Sequence, residues 1–171
     1  VNATPPRRPR PQPAPARWDE LSFTPEADPL PLDLLDELGG KDVDLIVINA
    51  AVRPTFSGEK SVTLTCRVLQ DGEPRLVPTT HGPIPLDLPC YFRLPVRADG
   101  TPYVPARSKF YQTWCRLNQN TRPSRRDRMP LSVFRERLLR GRVRIVKKGS
   151  TNQHQDLPRD LWRLIIEDVA P

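Results

Sequence analysis

Proline decides where this chain can hold regular structure. Twenty-two of its 171 residues are proline, well over twice the ~5% usual for folded proteins. They crowd the opening residues, where the run PPRRPRPQPAPAR offers almost no apolar side chain to offset the entropy of ordering. Residues 1–42 are therefore expected to be a disordered Pro-rich and acidic tail, partly polyproline II, and residues 43–171 to form one domain. A second group, Pro74, Pro78, Pro83, Pro85 and Pro89, excludes a central strand from residues 73–89, because each proline removes a ladder donor.

The stretches that proline leaves free read mostly as strands. Residues 43–53, VDLIVINAAVR, are a continuous apolar run that suits a buried or strongly curved strand, stopped by Pro54 and followed by a Ser57-Gly58 turn. From Lys60 to Leu69 the chain alternates, with Val62, Leu64, Cys66 and Val68 on one face and Ser61, Thr63, Thr65 and Arg67 on the other. That period of two marks a half-buried strand, and Asp71-Gly72 is good turn chemistry for its end. A short third strand is expected at Cys90–Val96, with Asp99-Gly100 as the next turn. Ser108 then caps a helix through KFYQTWCRLNQN, in which Phe110, Trp114 and Leu117 recur on one face. Residues 131–137 suit a helical turn. Leu138–Lys147 follows, with Leu139, Val143 and Ile145 inward and Gly141 marking a bulge or bend. The last run, LWRLIIEDV, sets Trp162, Leu164 and Ile166 against Leu161, Arg163 and Ile165. Three strands, a helix and two strands is the element order of a mainly β, five-stranded Greek-key barrel of the oligonucleotide-binding (OB) type, with one helix between strands 3 and 4. An unrelated α+β sheet is the structural rival.

Charge is segregated along the chain. Residues 1–17 carry +4, residues 18–46 carry −8, and the remainder carries +11, for a net charge of +7. Between Arg107 and Lys148 alone there are 14 Lys and Arg residues against Asp127 and Glu136. Such crowding is costly through self-repulsion, and a polyanionic partner relieves it. Aromatics interleaved with the cations favour a nucleic acid whose base faces are exposed. Arg140, Arg142 and Arg144 share one strand face at about 6.6–7 Å intervals, which suits an extended phosphate backbone. Arg122, Arg125, Arg126 and Arg128 sit on a loop placed to clamp, and Lys109 and Lys147 extend the set. Tyr91, Tyr103 and Tyr111 are the candidates for base stacking, whereas Phe110, Trp114 and Trp162 hold inward positions and read as core. The competing reading of the arginines is a merely solvated face, although solvated faces usually mix both signs.

Catalytic chemistry finds little support. There is no phosphate-cradling G-x-x-x-x-G-K-[ST] loop, and no cofactor is implied. His81 and His154 lie in loops without Cys or His at ligand spacing, so no metal site is expected. Asp127, set among arginines, reads as a local salt-bridge partner rather than a catalytic base. Cys66, Cys90 and Cys115 are odd in number and widely spaced, which argues against a disulfide framework or a zinc site. Without a signal peptide or an apolar run of membrane-spanning length, the expected location is cytoplasmic.

The acidic segment admits two functional readings. Its Leu32, Leu34, Leu35 and Leu38, set among Asp33, Asp36 and Glu37, could dock on a partner protein, or the segment could fold back and compete with nucleic acid. The plainer reading is a solvated linker with one helical turn packed on the domain, capped by Asp33 and ended by Gly39-Gly40.

The motifs SKFYQTW, RPSRRDRM and VFRERLLRGRVRIV resemble those of small accessory proteins of phages, plasmids and integrated elements that are similar to single-stranded DNA-binding proteins of OB fold. The resemblance covers about residues 45–168, with Trp162 at the position of an aromatic in the last strand. RLLRG departs from the plainer Phe-x-Gly turn of such proteins, which leaves the geometry of that turn open. The resemblance implies a non-enzymatic, sequence-tolerant single-stranded DNA-binding protein acting in replication or recombination of a mobile element. Two alternatives stand beside it: an adaptor that recruits a replication or recombination protein through the N-terminal segment, and an RNA-binding module.

Overall fold

The computed structural model describes residues 31–54, 59–148, 156–159 and 162–171. Most of the expected tail, the Ser57-Gly58 turn, His154 and Leu161 lie outside these residues. The described chain is mainly β, with two α-helices and a 3₁₀ turn.

Strand β1 (Asp42–Pro54) and strand β2 (Lys60–Gln70) form a long antiparallel pair whose register slips between Val47 and Asn49. As the alternation predicts, Val62, Leu64, Cys66 and Val68 are buried. Asp71 and Gly72 turn the chain with φ of 53° and 83°, the left-handed pair that a tight hairpin needs. The proline-rich stretch supports only two-residue strands: β3 (Glu73–Pro74) on the end of β2, and β4 (Leu76–Val77) paired with β5 (Ile84–Pro85). Strand β6 (Asp87–Leu94) corrects the expected start at Cys90, because it runs through Pro89, which pairs with Thr65. The far side of β6 carries a single registered pair, Cys90 with Ile166, so Pro89 interrupts no continuous ladder there.

Helix α2 (Lys109–Leu117) forms where expected, with Ser108 Oγ accepting from the Tyr111 amide at 3.2 Å. It buries Phe110, Trp114 and Leu117. The Phe110 ring lies 5.7 Å from both Phe92 and Phe134, centroid to centroid. Phe134 arrives on the 3₁₀ turn Leu131–Phe134, and the Trp114 indole donates to the Pro130 carbonyl at 3.0 Å. Strand β7 (Leu138–Val146) buries Leu139 and Val143 and exposes Arg140, Arg142 and Arg144.

The last strand, β8 (Arg163–Ala170), departs from simple alternation. Its register with β7 slips between Arg142 and Val143, so Val169 turns inward after Leu164 and Ile166. Ile165, expected on the outward face, is buried as well.

A second helix, α1 (Leu32–Leu38), lies before β1 and corrects the expectation of a single helix. Leu34, Leu35 and Leu38 are buried in the main core, so this part of the expected 1–42 tail belongs to the folded body. This is the packed helical turn of the plainer reading, extended to seven residues. Pro31 occupies the N-cap position without a side-chain bond and Asp33 falls in the first turn, so Asp33 is not the cap. Gly39 ends the helix as expected.

The strand order is β1-β7-β8-β6-β2-β3, with an additional β1–β2 pairing that joins β1 to the far end of the order. All registered pairs are antiparallel except β6–β8. No helix among the described residues is long and apolar enough to cross a membrane.

Candidate nucleic-acid interface

The β7 arginines share an outward face as expected, but they do not form a free cationic track. Arg142 stands opposite Asp42 of β1 and opposite Asp168 of β8, and Arg140 stands opposite Asp44. Arg142 Nε donates to Asp42 at 3.2 Å, Arg144 to Glu167 at 3.2 Å, and Lys109 Nζ to Asp168 at 2.5 Å. The Asp168 carboxylate raises the pKa of Lys109. Strand pairing thus brings acids from both ends of the domain against a segment that is nearly acid-free in sequence. Among the described residues, Arg140 and Arg116 form no ion pair. The pairs that form are solvent-exposed on both sides, so each contributes only about 0–1 kcal/mol. A cleft of about 500 Å³ between α2, β7 and β8 sets Lys109, Arg116, Arg140 and Arg142 against Asp42, Glu167 and Asp168, a nearly balanced lining.

After β6 the chain folds back on itself: the Tyr103 amide donates to the Pro95 carbonyl at 2.9 Å and the Arg97 amide to the Thr101 carbonyl at 2.9 Å. Asp99 holds the tip, accepting on Oδ1 from the Thr101 amide at 2.9 Å and from its hydroxyl at 2.5 Å. These bonds hold the Asp99 carboxyl below the usual range. Gly100 follows at φ 80°, a conformation that favours glycine. From the loop after α2, Arg126 Nη1 reaches across to donate to the Val104 carbonyl at 3.3 Å.

The two loops enclose a cleft of about 600 Å³ that includes Arg97, Asp99, Tyr103, Arg125, Arg126 and Asp127. The Arg97 guanidinium lies 5.7 Å from the Tyr103 ring centroid. Arg125 grips Asp127 through Nε at 3.0 Å and Nη2 at 2.5 Å, which lowers the Asp127 pKa. Asp127 is thus a salt-bridge partner within its loop. Tyr111, half-buried beside this cluster, has its phenol pushed up by burial first and by its contact with Cys115 second, while Arg122 and Arg126 pull it down.

The proposed site residues therefore divide. Tyr103, Arg125 and Arg126 share one cleft, with Tyr111 and Arg122 in electrostatic reach and Arg128 on the same loop, its amide bonded to the Arg125 carbonyl. Lys109, Arg140 and Arg142 line the other cleft. Tyr91 stands exposed on the outer face of β6, opposite Thr63. Lys147 Nζ sits 4.6 Å over the Trp162 ring, which packs partly buried against the core and donates to the Leu157 carbonyl.

Sequence reasoning missed Arg97, Asp99 and Arg116. The spacing of Arg116 from Lys109 and Thr113 on α2 carried a usable signal. Arg97 and Asp99 looked like ordinary turn residues. Among the described residues, no group of three or more His, Cys, Asp or Glu is placed to hold a metal ion. Cys66 and Cys90 are buried, and burial pushes the Cys66 thiol up to about 12 and raises Cys90 as well. The chain matches no family model, no curated protein and no solved structure.

Proposed function

We propose that the protein binds single-stranded DNA with little sequence preference, on an OB-type barrel. The strand pairings β1–β2, β2–β6, β6–β8, β8–β7 and β7–β1 follow the cycle of that five-stranded Greek-key barrel, and α2 lies between its third and fourth long strands. Helix α1 is an addition to that plan. The observation that carries the reading is the loop cleft, where the exposed Tyr103 meets Arg97 and Arg126, neither of which is ion-paired among the described residues. Aromatic faces stack bases at about 1–3 kcal/mol each irrespective of sequence, and guanidinium groups meet phosphates. Tyr111 and Arg122 extend the cluster along α2. Action in replication or recombination of a mobile element rests on the motif resemblance.

The adaptor reading loses most of its docking leucines, since Leu34, Leu35 and Leu38 are buried and only Leu32 is exposed. The deciding experiment is fluorescence anisotropy with a labelled homothymidine oligonucleotide across a salt series. Affinity should fall with a log–log slope of about −0.7 per phosphate neutralised. Absent or salt-insensitive binding rejects the proposal. The same titration with oligouridine separates DNA from RNA preference.

A further inference from the structure

Of the two carboxylates that line the loop cleft, Asp127 is held by Arg125 and Asp99 is not ion-paired among the described residues. Asp99 lines the same space as Tyr103, Arg125 and Arg126. Both of its bonds from Thr101 fall on Oδ1, and no side chain of the described residues donates to Oδ2. Oδ1 already serves the turn, whereas the open Oδ2, in the same cleft as the Tyr103 ring, repels phosphate and suits N–H donors on a base edge.

We infer that this cleft takes a single nucleotide of the bound strand, its base on Tyr103 and its edge read by Asp99, with a preference for guanine. The inference rests on the single-stranded DNA-binding reading. Guanine presents two adjacent donors, N1–H and N2–H₂, to one carboxylate. Adenine and cytosine present one amine beside a ring acceptor. Thymine presents a single N3–H between two carbonyls, which a carboxylate repels. Arg97 is placed by its contact with the Tyr103 ring to complete the stack, and Arg126, which lines the same cleft without a carboxylate partner among the described residues, is available to a flanking phosphate. The volume of about 600 Å³ suits a nucleotide, since small-molecule sites run from roughly 300 to 1,000 Å³.

The test is an anisotropy competition among three oligothymidines: all-thymine, one carrying a single guanine, and one carrying a single hypoxanthine, which lacks the 2-amino group. The guanine strand should bind roughly tenfold tighter than all-thymine, in line with bidentate base readout, and hypoxanthine should lose most of that gain. Asp99→Asn, which keeps the turn geometry, should bring the guanine and thymine strands to the same affinity. Asp99→Ser serves as the second variant, with melting curves to confirm the fold. Equal affinities in the wild type overturn this inference and leave the general binding reading standing. No binding to any strand overturns both.

Discussion

Arg142 of β7 stands opposite Asp42 of β1, and its Nε donates to that carboxylate at 3.2 Å, a hundred residues away in sequence. A guanidinium paired in this way has its anion already, so a phosphate must displace the carboxylate before it binds and gains only the difference. Arg144 is in the same position with Glu167. Arg122 and Arg126 have no carboxylate partner among the described residues. Charge reversal at Arg142 and Arg144 is therefore expected to weaken oligonucleotide binding only a few-fold. Reversal at Arg122 and Arg126 should shrink the salt slope by about 1.4, from ~0.7 for each of two phosphates left unneutralised. Anisotropy titrations at several salt concentrations check both, and equal effects from the two pairs would count against the loop cleft as the primary binding surface.

Helix α1 is expected to be structural. Leu35 is 1% exposed and sits in the same core cluster as Leu45, Val68 and Val143. Leu35→Ala should cost about 2–5 kcal/mol, read by urea denaturation as a lower midpoint with an unchanged m-value. A change below ~0.5 kcal/mol would match an exposed site instead and would return residues 32–38 to the tail.

Legibility in the sequence followed how local each signal was. Strand β2 was readable because its four buried apolar residues fall at every second position, and α2 because Ser108, Phe110, Trp114 and Leu117 fall at capping and helical spacing. The hairpin turn at Asp71-Gly72 was legible for the same reason. A short helical turn ended by Gly39-Gly40 was legible at α1, but its place in the core was not, because the exposed Asp33, Asp36 and Glu37 match the acidic segment around them. The charge map failed at β7 because Asp42 and Glu167 reach Arg142 and Arg144 only through strand pairing. The Tyr103 cleft needs Arg126 to cross to Val104 from another loop. No periodicity encodes that crossing.

Thiol chemistry offers an independent check on the core. Cys66 and Cys90 are buried on neighbouring strands, with Cys66 pushed up to about 12, whereas Cys115 is only half-buried. Iodoacetamide at mildly alkaline pH should modify Cys115 first, with Cys66 and Cys90 reacting only on unfolding, as read by peptide mass spectrometry. The folded pKa lies above the unfolded value of about 8.5. The stabilisation is thus fully present below that pH and is lost as pH rises past it. Urea midpoints should fall between about pH 8 and pH 10, and fall less in a Cys66→Ala, Cys90→Ala double variant. Comparable labelling of all three cysteines in the native state would contradict this placement.

Gly141 of β7 stands between Val43 of β1 and Val169 of β8, and the requirement there is space rather than backbone freedom. A Cβ added at Gly141 would lie 2.7 Å from Ile166 Cγ2, 2.7 Å from Leu45 Cδ1 and 2.9 Å from the Asp168 carbonyl oxygen. The two methyl groups can move only by disturbing the packing around them, and the carbonyl belongs to the β8 backbone beside the register slip at Arg142 and Val143. Replacing glycine by alanine would otherwise stabilise by about 0.4–1 kcal/mol through the unfolded chain, but overpacking a close-fitted core costs about 1–3 kcal/mol. The second effect wins. Gly141→Ala should lower Tm by several degrees and also reduce oligonucleotide affinity if β7 and β8 separate, whereas an unchanged or higher Tm would show that the three strands leave room for a methyl group at this point.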